Sequence, residues 1–107
     1  MKIAYWKELQ FLIAPDVYEP AEDTFFIAEN MSIGAGEKVL ELGTGCGMLA
    51  VLAAKAGGKV IATDINPTAL ECARANAAAN GVKIDFRLGD LFEPVKGELF
   101  DQILFNP

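Results

Sequence analysis

Short apolar runs, broken by glycine, proline and asparagine, divide the chain from residue 17 onward. Lys38 to Leu42 is largely apolar, as a central parallel strand must be. Three alternating glycines follow, and Met48, Leu49, Val51 and Leu52 then recur as the inward stripe of a helix that ends at Gly57-Gly58. Lys59 to Asp64 predicts a second strand. Asn66-Pro67 opens another helix in the preferred way, with a capping side chain and then proline at the first helical position. Its alanine-rich run to Ala79 has high helix propensity and stops at Asn80-Gly81. Val82 to Leu88 predicts a third strand and Phe100 to Phe105 a fourth. Upstream, Pro20 to Thr24 predicts a helix start, with Pro20 in its first turn, Glu22 and Asp23 at its positive end and Phe25 to Ala28 as its apolar face. Gly34-Ala35-Gly36 closes that segment. Residues 1–17 show no clean period, and Ile3, Tyr5, Trp6 and Phe11-Leu12-Ile13 fit either a short helix or a strand.

Strands alternating with helices predict an α/β fold on a parallel sheet. At 107 residues the chain is one domain or part of one, and short for a complete doubly wound sheet. Its apolar fraction, 52%, is high for so small a chain and fits apolar surface that expects a neighbour. The net charge of −6, with no cluster of Lys or Arg, gives no electrostatic footprint for a nucleic-acid backbone. There is no histidine, and Cys46 and Cys72 form no CxxC pair. Neither a metal site nor a disulfide framework is expected, and reduced thiols fit a cytoplasmic setting. No apolar run is long enough to cross a bilayer.

The glycine loop after Glu41 carries the candidate chemistry. Such a loop, at the C-terminal end of a parallel strand, brings main-chain N–H groups close to a ligand. A dinucleotide fingerprint spaces its glycines as G-x-G-x-x-G. Here Gly43, Gly45 and Gly47 bring the third glycine one residue early, and Met48 takes the last position. Glu41, two residues before the first glycine, suits a cofactor with a cationic amino-acid tail better than a diphosphate. A nicotinamide or flavin site, and a merely structural turn, are the lesser readings. Asp64 follows the loop by about 20 residues, where a carboxylate can accept both ribose hydroxyls of an adenosine. Both cofactor classes use such an acid, and a structural cap is the bland alternative. Asp90 could accept an exocyclic amine, with Leu91 and Phe92 as an apolar wall, or belong to an ordinary polar turn. Cys46 and Cys72 read as packing residues.

In order, the chain carries Val-Tyr-Glu-Pro-Ala-Glu-Asp-Thr at 17–24, Glu-x-Gly-x-Gly-x-Gly from Glu41, Thr-Asp-Ile-Asn-Pro at 63–67, Gly-Asp-Leu-Phe at 89–92 and Phe-Asp-Gln-Ile-Leu-Phe-Asn-Pro at 100–107. This series resembles the Rossmann-like, S-adenosylmethionine-dependent methyltransferases of the release-factor glutamine methyltransferase group, and its first motif is similar to the archaeal and eukaryotic branch. The resemblance runs from about Val17 to Pro107. It implies a class I three-layer α/β sandwich, cut after the fourth strand, with parallel strand order 3-2-1-4. Residues 1–36 would be an N-terminal extension and helix, and 37–107 the cofactor-binding half.

The resemblance also implies roles. Glu41, Gly43 and Gly45 would hold the methionine part of S-adenosyl-L-methionine, with Thr24 reaching its carboxylate from the side. Asp64 and Ile65 would hold the ribose and adenine, and Asp90 and Leu91 the adenine edge. Asn106 and Pro107 match the first half of the group's Asn-Pro-Pro-Tyr signature, with Asn106 also touching the cofactor. In the group, that signature accepts the two hydrogens of a planar amide. An amide nitrogen shares its lone pair with the carbonyl, so it needs orientation toward the methyl group rather than a strong base.

The sequence stops before the signature's second proline and tyrosine. The expectation is weak cofactor binding at best, no transfer activity in this piece, and a fourth strand that pairs with a second copy. The implied partners are a release factor as substrate and a small activator protein as in the related branch, with no membrane. An enzyme acting on exocyclic amines of RNA or DNA is the alternative, disfavoured by the acidic charge. A cofactor-binding module without chemistry is the third reading.

Overall fold

The computed structural model describes residues 1–106; the expectation placed on Pro107 lies outside them. Residues 1–17 resolve the open choice in favour of strand. β1 (Lys2–Trp6) and β2 (Leu9–Ile13) form an antiparallel hairpin in which Trp6 pairs with Leu9 across the two-residue turn Lys7–Glu8. Phe11 and Ile13 alternate into the core, and the Trp6 ring stacks on Phe25 with centroids 5.9 Å apart. α1 (Glu22–Asn30) follows. Pro20 is not in its first turn, as expected, but precedes the cap residue Ala21; the Ala21 N–H is taken up by the Thr24 hydroxyl at 3.3 Å. The helix also ends earlier, so Gly34 to Gly36 form part of a separate turn leading to the sheet.

The sheet comprises β3 (Lys38–Leu42), β4 (Lys59–Asp64), β5 (Asp85–Leu88) and β6 (Gln102–Phe105), all parallel, in the order β5-β4-β3-β6. Counted from β3, this is the expected 3-2-1-4. β5 and β6 are shorter than their apolar runs suggested: Val82 and Ile84 pack into the core as loop, and Phe100 caps a cluster below β6. α2 (Met48–Lys55) and α3 (Pro67–Ala79) connect the strands, and the Asn66 side chain accepts from Thr68 N at 3.0 Å as the expected cap.

The two faces of the sheet are unequal. Val39, Val60, Ala62 and Leu104 point to the helices, against Leu49, Ala50 and Ala53 of α2 and Ile27 and Met31 from the α1 side. Leu40, Leu42 and Ile61 point the other way, where the 89–101 crossover supplies Val95 and Phe100 in place of a helix. That crossover is tied down by ion pairs of Glu98 with Arg87 and with Lys38, and by Asp101 accepting from Lys38 N at 2.8 Å. These contacts hold the Glu98 carboxyl below its ordinary range, the Arg87 hydrogen bond first among them. Among the described residues β6 pairs with β3 alone, and Ile103 and Phe105 are each half exposed.

Candidate functional site

The C-terminal ends of β3, β4 and β6 converge where an open α/β sheet places its ligand crevice. The loop from Gly43 to Gly47 leaves β3 there and enters α2. Its third glycine has a packing role: Gly47 lies at φ 88°, and a Cβ on it would meet Ala73 of α3 at 2.8 Å. Helix α3 therefore presses directly on the loop, as a side chain at 47 would prevent. Gly43, at φ 69°, has open space where a Cβ would stand. That space is part of a cavity.

The cavity encloses about 300 Å³, within the size range of small-molecule sites. Thr24, Glu41, Gly43, Gly45, Asp64 and Asn106 all line it, so residues from four separate sequence motifs meet in one place. A smaller hollow of about 90 Å³ shares Gly43 and Asp64 with it and is bounded by Ile65, Asp90, Leu91 and Phe105. The expected apolar wall is thus corrected in one respect: Phe105, not Phe92, stands beside Asp90 and Leu91. The chain turns sharply at Leu91, whose φ is 47°, and Phe92 goes on to open the short turn at Glu93–Val95.

Two carboxylates differ in their surroundings. Glu41 is buried on β3, with Thr44 Oγ1 donating to its Oε1 at 2.7 Å. Burial pushes its carboxyl up to about 8; the Thr44 and Ala50 hydrogen bonds pull it down and the charge of Asp64 raises it further. Asp64 is half-buried, and its oxygens accept from Gly45 N and Asn66 N, each at 2.9 Å. Asn106, at the end of β6, donates from Nδ2 to Thr24 Oγ1 at 2.7 Å, which ties the last strand to the first turn of α1.

The cavity fits a nucleoside with an amino-acid tail. A cation beside Glu41 would restore its charged form, whereas a diphosphate would drive it further toward the neutral acid. The Thr63 hydroxyl, in a residue that borders the smaller hollow, is buried and has no hydrogen-bond partner among the described residues.

Sequence reasoning missed two contributors. Asp16, Val17 and Tyr18 line the cavity from the segment after the hairpin, and the Tyr18 carbonyl faces Gly45. Asn76 of α3, almost fully buried, donates from Nδ2 to Cys46 O and Leu12 O, each at 2.8 Å, and so fastens loop and hairpin together. An asparagine on the inward face of an alanine-rich helix was the available signal. Both cysteines are buried packing residues; Cys72 Sγ donates to Leu12 O at 3.1 Å, and burial pushes the Cys46 thiol up to about 12. Among the described residues no group of three His, Cys, Asp or Glu is placed to hold a metal, and no helix is long and apolar enough to cross a membrane.

A parallel sheet in this order, with an acid-led glycine loop and a second acid on the adjacent strand, defines a Rossmann-like domain of methyltransferase type. The model of the methyltransferase small domain matches residues 12–107, and the chain belongs to that family. An archaeal protein of Methanocaldococcus jannaschii assigned as a protein N5-glutamine methyltransferase is 44% identical over 100 residues, which are 92% of this chain and 50% of the relative. The release factor glutamine methyltransferase of Koribacter versatilis is 38% identical over 104 residues, 91% of this chain and 37% of the relative. Among solved structures, the Pyrococcus abyssi tRNA (uracil-54, C5)-methyltransferase in complex with S-adenosyl-L-homocysteine superposes with a TM-score of 0.81 at 25% identity, over 99% of this chain and 28% of that one. The chain spans half or less of the length of these proteins.

Proposed function

We propose that this chain is the cofactor-binding half of an S-adenosylmethionine-dependent N-methyltransferase whose acceptor is a glutamine side-chain amide of a translation release factor. The observation that carries the reading is the meeting of Glu41, Asp64, Thr24 and Asn106 around one cavity. When bound, S-adenosylmethionine supplies an electrophilic methyl group on a sulfonium. Glu41 binds its ammonium, Thr24 its carboxylate, Asp64 and Ile65 the ribose and base, and Asp90 and Leu91 the adenine edge. Gly43 and Gly45 keep the wall beside the methionine part free of side chains. Asn106 offers its Oδ1 to an amide N–H, and Pro107 its carbonyl to the other.

Orientation, not proton abstraction, is the chain's contribution. Two acceptors fix the plane of the amide and aim its nitrogen, a form of catalysis through positioning. The names of the relatives support the glutamine acceptor. Because the chain spans half or less of their length, the transfer step is assigned to the whole-length protein and cofactor binding to this part. The buried, unpaired thiols support a cytoplasmic setting, and the exposed β6 edge supports pairing with a second copy or with further chain. A small activator protein is a further expected partner.

The test is transfer of label from S-adenosylmethionine by a protein of the relatives' full length, with release factor, RNA and DNA offered as acceptors. Label in the release factor alone supports the reading. Label in nucleic acid alone overturns it in favour of an exocyclic amine.

A further inference from the structure

Asn106 has an amide whose two ends look alike in shape but are opposite in hydrogen bonding, one a double donor and one an acceptor. The acceptor role proposed for it works in one orientation only. With the amide reversed, Nδ2 would confront the N–H of an incoming amide, and donor would face donor. Packing does little to choose between the two, because they have almost the same volume. Its partner on the protein must choose.

That partner is the Thr24 hydroxyl, which is buried and receives Nδ2 of Asn106 at 2.7 Å. A hydroxyl has two lone pairs and one hydrogen. In Thr24 the Ala21 N–H, at 3.3 Å, occupies one lone pair, which leaves the second lone pair and the hydrogen. A hydroxyl with a free hydrogen can accept from Asn106 Nδ2 or, after rotation, donate to a reversed Asn106 Oδ1. One that has already given its hydrogen away can only accept. A carboxylate is an acceptor without donors, so it would take that hydrogen.

We infer that Thr24 is a positioning residue: the carboxylate of the bound cofactor, by taking the Thr24 hydroxyl hydrogen, fixes Asn106 with Nδ2 toward Thr24 and Oδ1 toward the methyl acceptor. This rests on the proposed cofactor reading and adds a consequence to it. The cofactor then prepares the acceptor site before the substrate arrives, and the coupling runs through one oxygen atom joining residues 82 positions apart. Thr24 is suited to this because it sits in the first turn of α1, where its hydroxyl reaches the Ala21 N–H and faces the cavity together.

The test uses nuclear magnetic resonance of the Asn106 side-chain amide in the 107-residue chain, assigned by its loss in Asn106→Asp. Two probes are compared: S-adenosylhomocysteine, which carries the carboxylate, and 5′-methylthioadenosine, which lacks it. S-adenosylhomocysteine is expected to slow exchange of the Asn106 Nδ2 hydrogens by about fivefold, the factor one neutral hydrogen bond is worth. Methylthioadenosine is expected to leave that exchange unchanged. Thr24→Ser keeps the response and Thr24→Val loses it. Backbone amide spectra of both variants report whether the fold is retained, and Thr24→Ser maintains the test should Thr24→Val unfold.

Binding of S-adenosylhomocysteine with no response at Asn106, an equal response to methylthioadenosine, or a response that survives in Thr24→Val overturns the coupling and leaves the cofactor reading standing. Failure of S-adenosylhomocysteine to bind at all overturns the cofactor reading, and the coupling with it.

Discussion

Gly45 and Asp64 are joined across the crevice: the Gly45 N–H donates to Asp64 Oδ2 at 2.9 Å, so the glycine loop and the tip of β4 hold one another in place. Asn66 N donates to the other oxygen at the same distance, and the carboxylate is fixed before any ligand arrives. Each oxygen keeps a lone pair for a ribose hydroxyl.

Asp64→Asn should therefore harm both fold and site. One oxygen becomes an amide that must oppose a backbone N–H. The expected cost is about 1–3 kcal/mol in urea unfolding, with a loss of S-adenosylhomocysteine affinity of about tenfold or more by calorimetry.

Glu41 should trade stability for binding. Folding lifts its carboxyl from 4.5 to about 8, so the unfolded chain ionises first as pH rises. Glu41 thus costs nothing below pH 4.5, subtracts progressively from stability as pH climbs toward 8, and exerts its full penalty above that. Glu41→Gln keeps the shape and removes the titration. At pH 8.5 the variant is expected to be more stable than the parent by up to about 5 kcal/mol, with little difference at pH 4. Its affinity for S-adenosylhomocysteine should nevertheless fall by about tenfold or more, since the ammonium loses its counter-ion. Urea unfolding at the two pH values and one titration check both halves.

Asn76→Ala should loosen the chain directly behind the glycine loop. Besides its bonds to Leu12 O and Cys46 O, Asn76 accepts from Leu12 N at 2.8 Å, so a helix side chain pairs with β2 as a neighbouring strand would. Removing it leaves three backbone groups without these partners, at an expected cost of about 2–4 kcal/mol in urea unfolding. Hydrogen exchange should show the hairpin and the glycine loop opening together.

Gly47→Ala should fail for a steric reason. The added methyl group meets Ala73 at 2.8 Å, on a backbone at φ 88° that side chains disfavour. A destabilisation of about 2 kcal/mol or more is expected, whereas alanine at Gly43, where the space is open, should cost about 1 kcal/mol and act mainly on ligand binding.

The strands of the sheet were legible because each carries its own apolar run and its own punctuation. Their order was legible only through the family resemblance, since local pattern does not say which strands are neighbours. Asn66-Pro67 and Asn80-Gly81 marked the ends of α3 to the residue. The hairpin was not legible: Lys7–Glu8 lacks the glycine or asparagine that announces a two-residue turn, and Lys7 accepts φ 55° without that help. Pro20 misled because a proline one residue before a helix cap reads the same as one in the first turn. In the site, the residues on strand ends and in the loop could be named from motif spacing. Asn76, Tyr18 and Phe105 were not named, since tertiary packing brings them to the loop or the hollow. Tyr18 and Phe105 lie inside motifs whose other residues drew the reading, and the one signal for Asn76 was a polar side chain on the inward face of an alanine-rich helix.

The central claim is that the cavity beside Glu41 takes a nucleoside with a cationic tail and not a diphosphate-bridged one. Parallel calorimetric titrations of the chain with S-adenosylhomocysteine and with NAD, at pH 6 and pH 8, test it most directly. The account predicts binding of S-adenosylhomocysteine that strengthens from pH 6 to pH 8 as Glu41 gives up its proton, and no heat from NAD. Saturable binding of NAD that S-adenosylhomocysteine does not displace would contradict it.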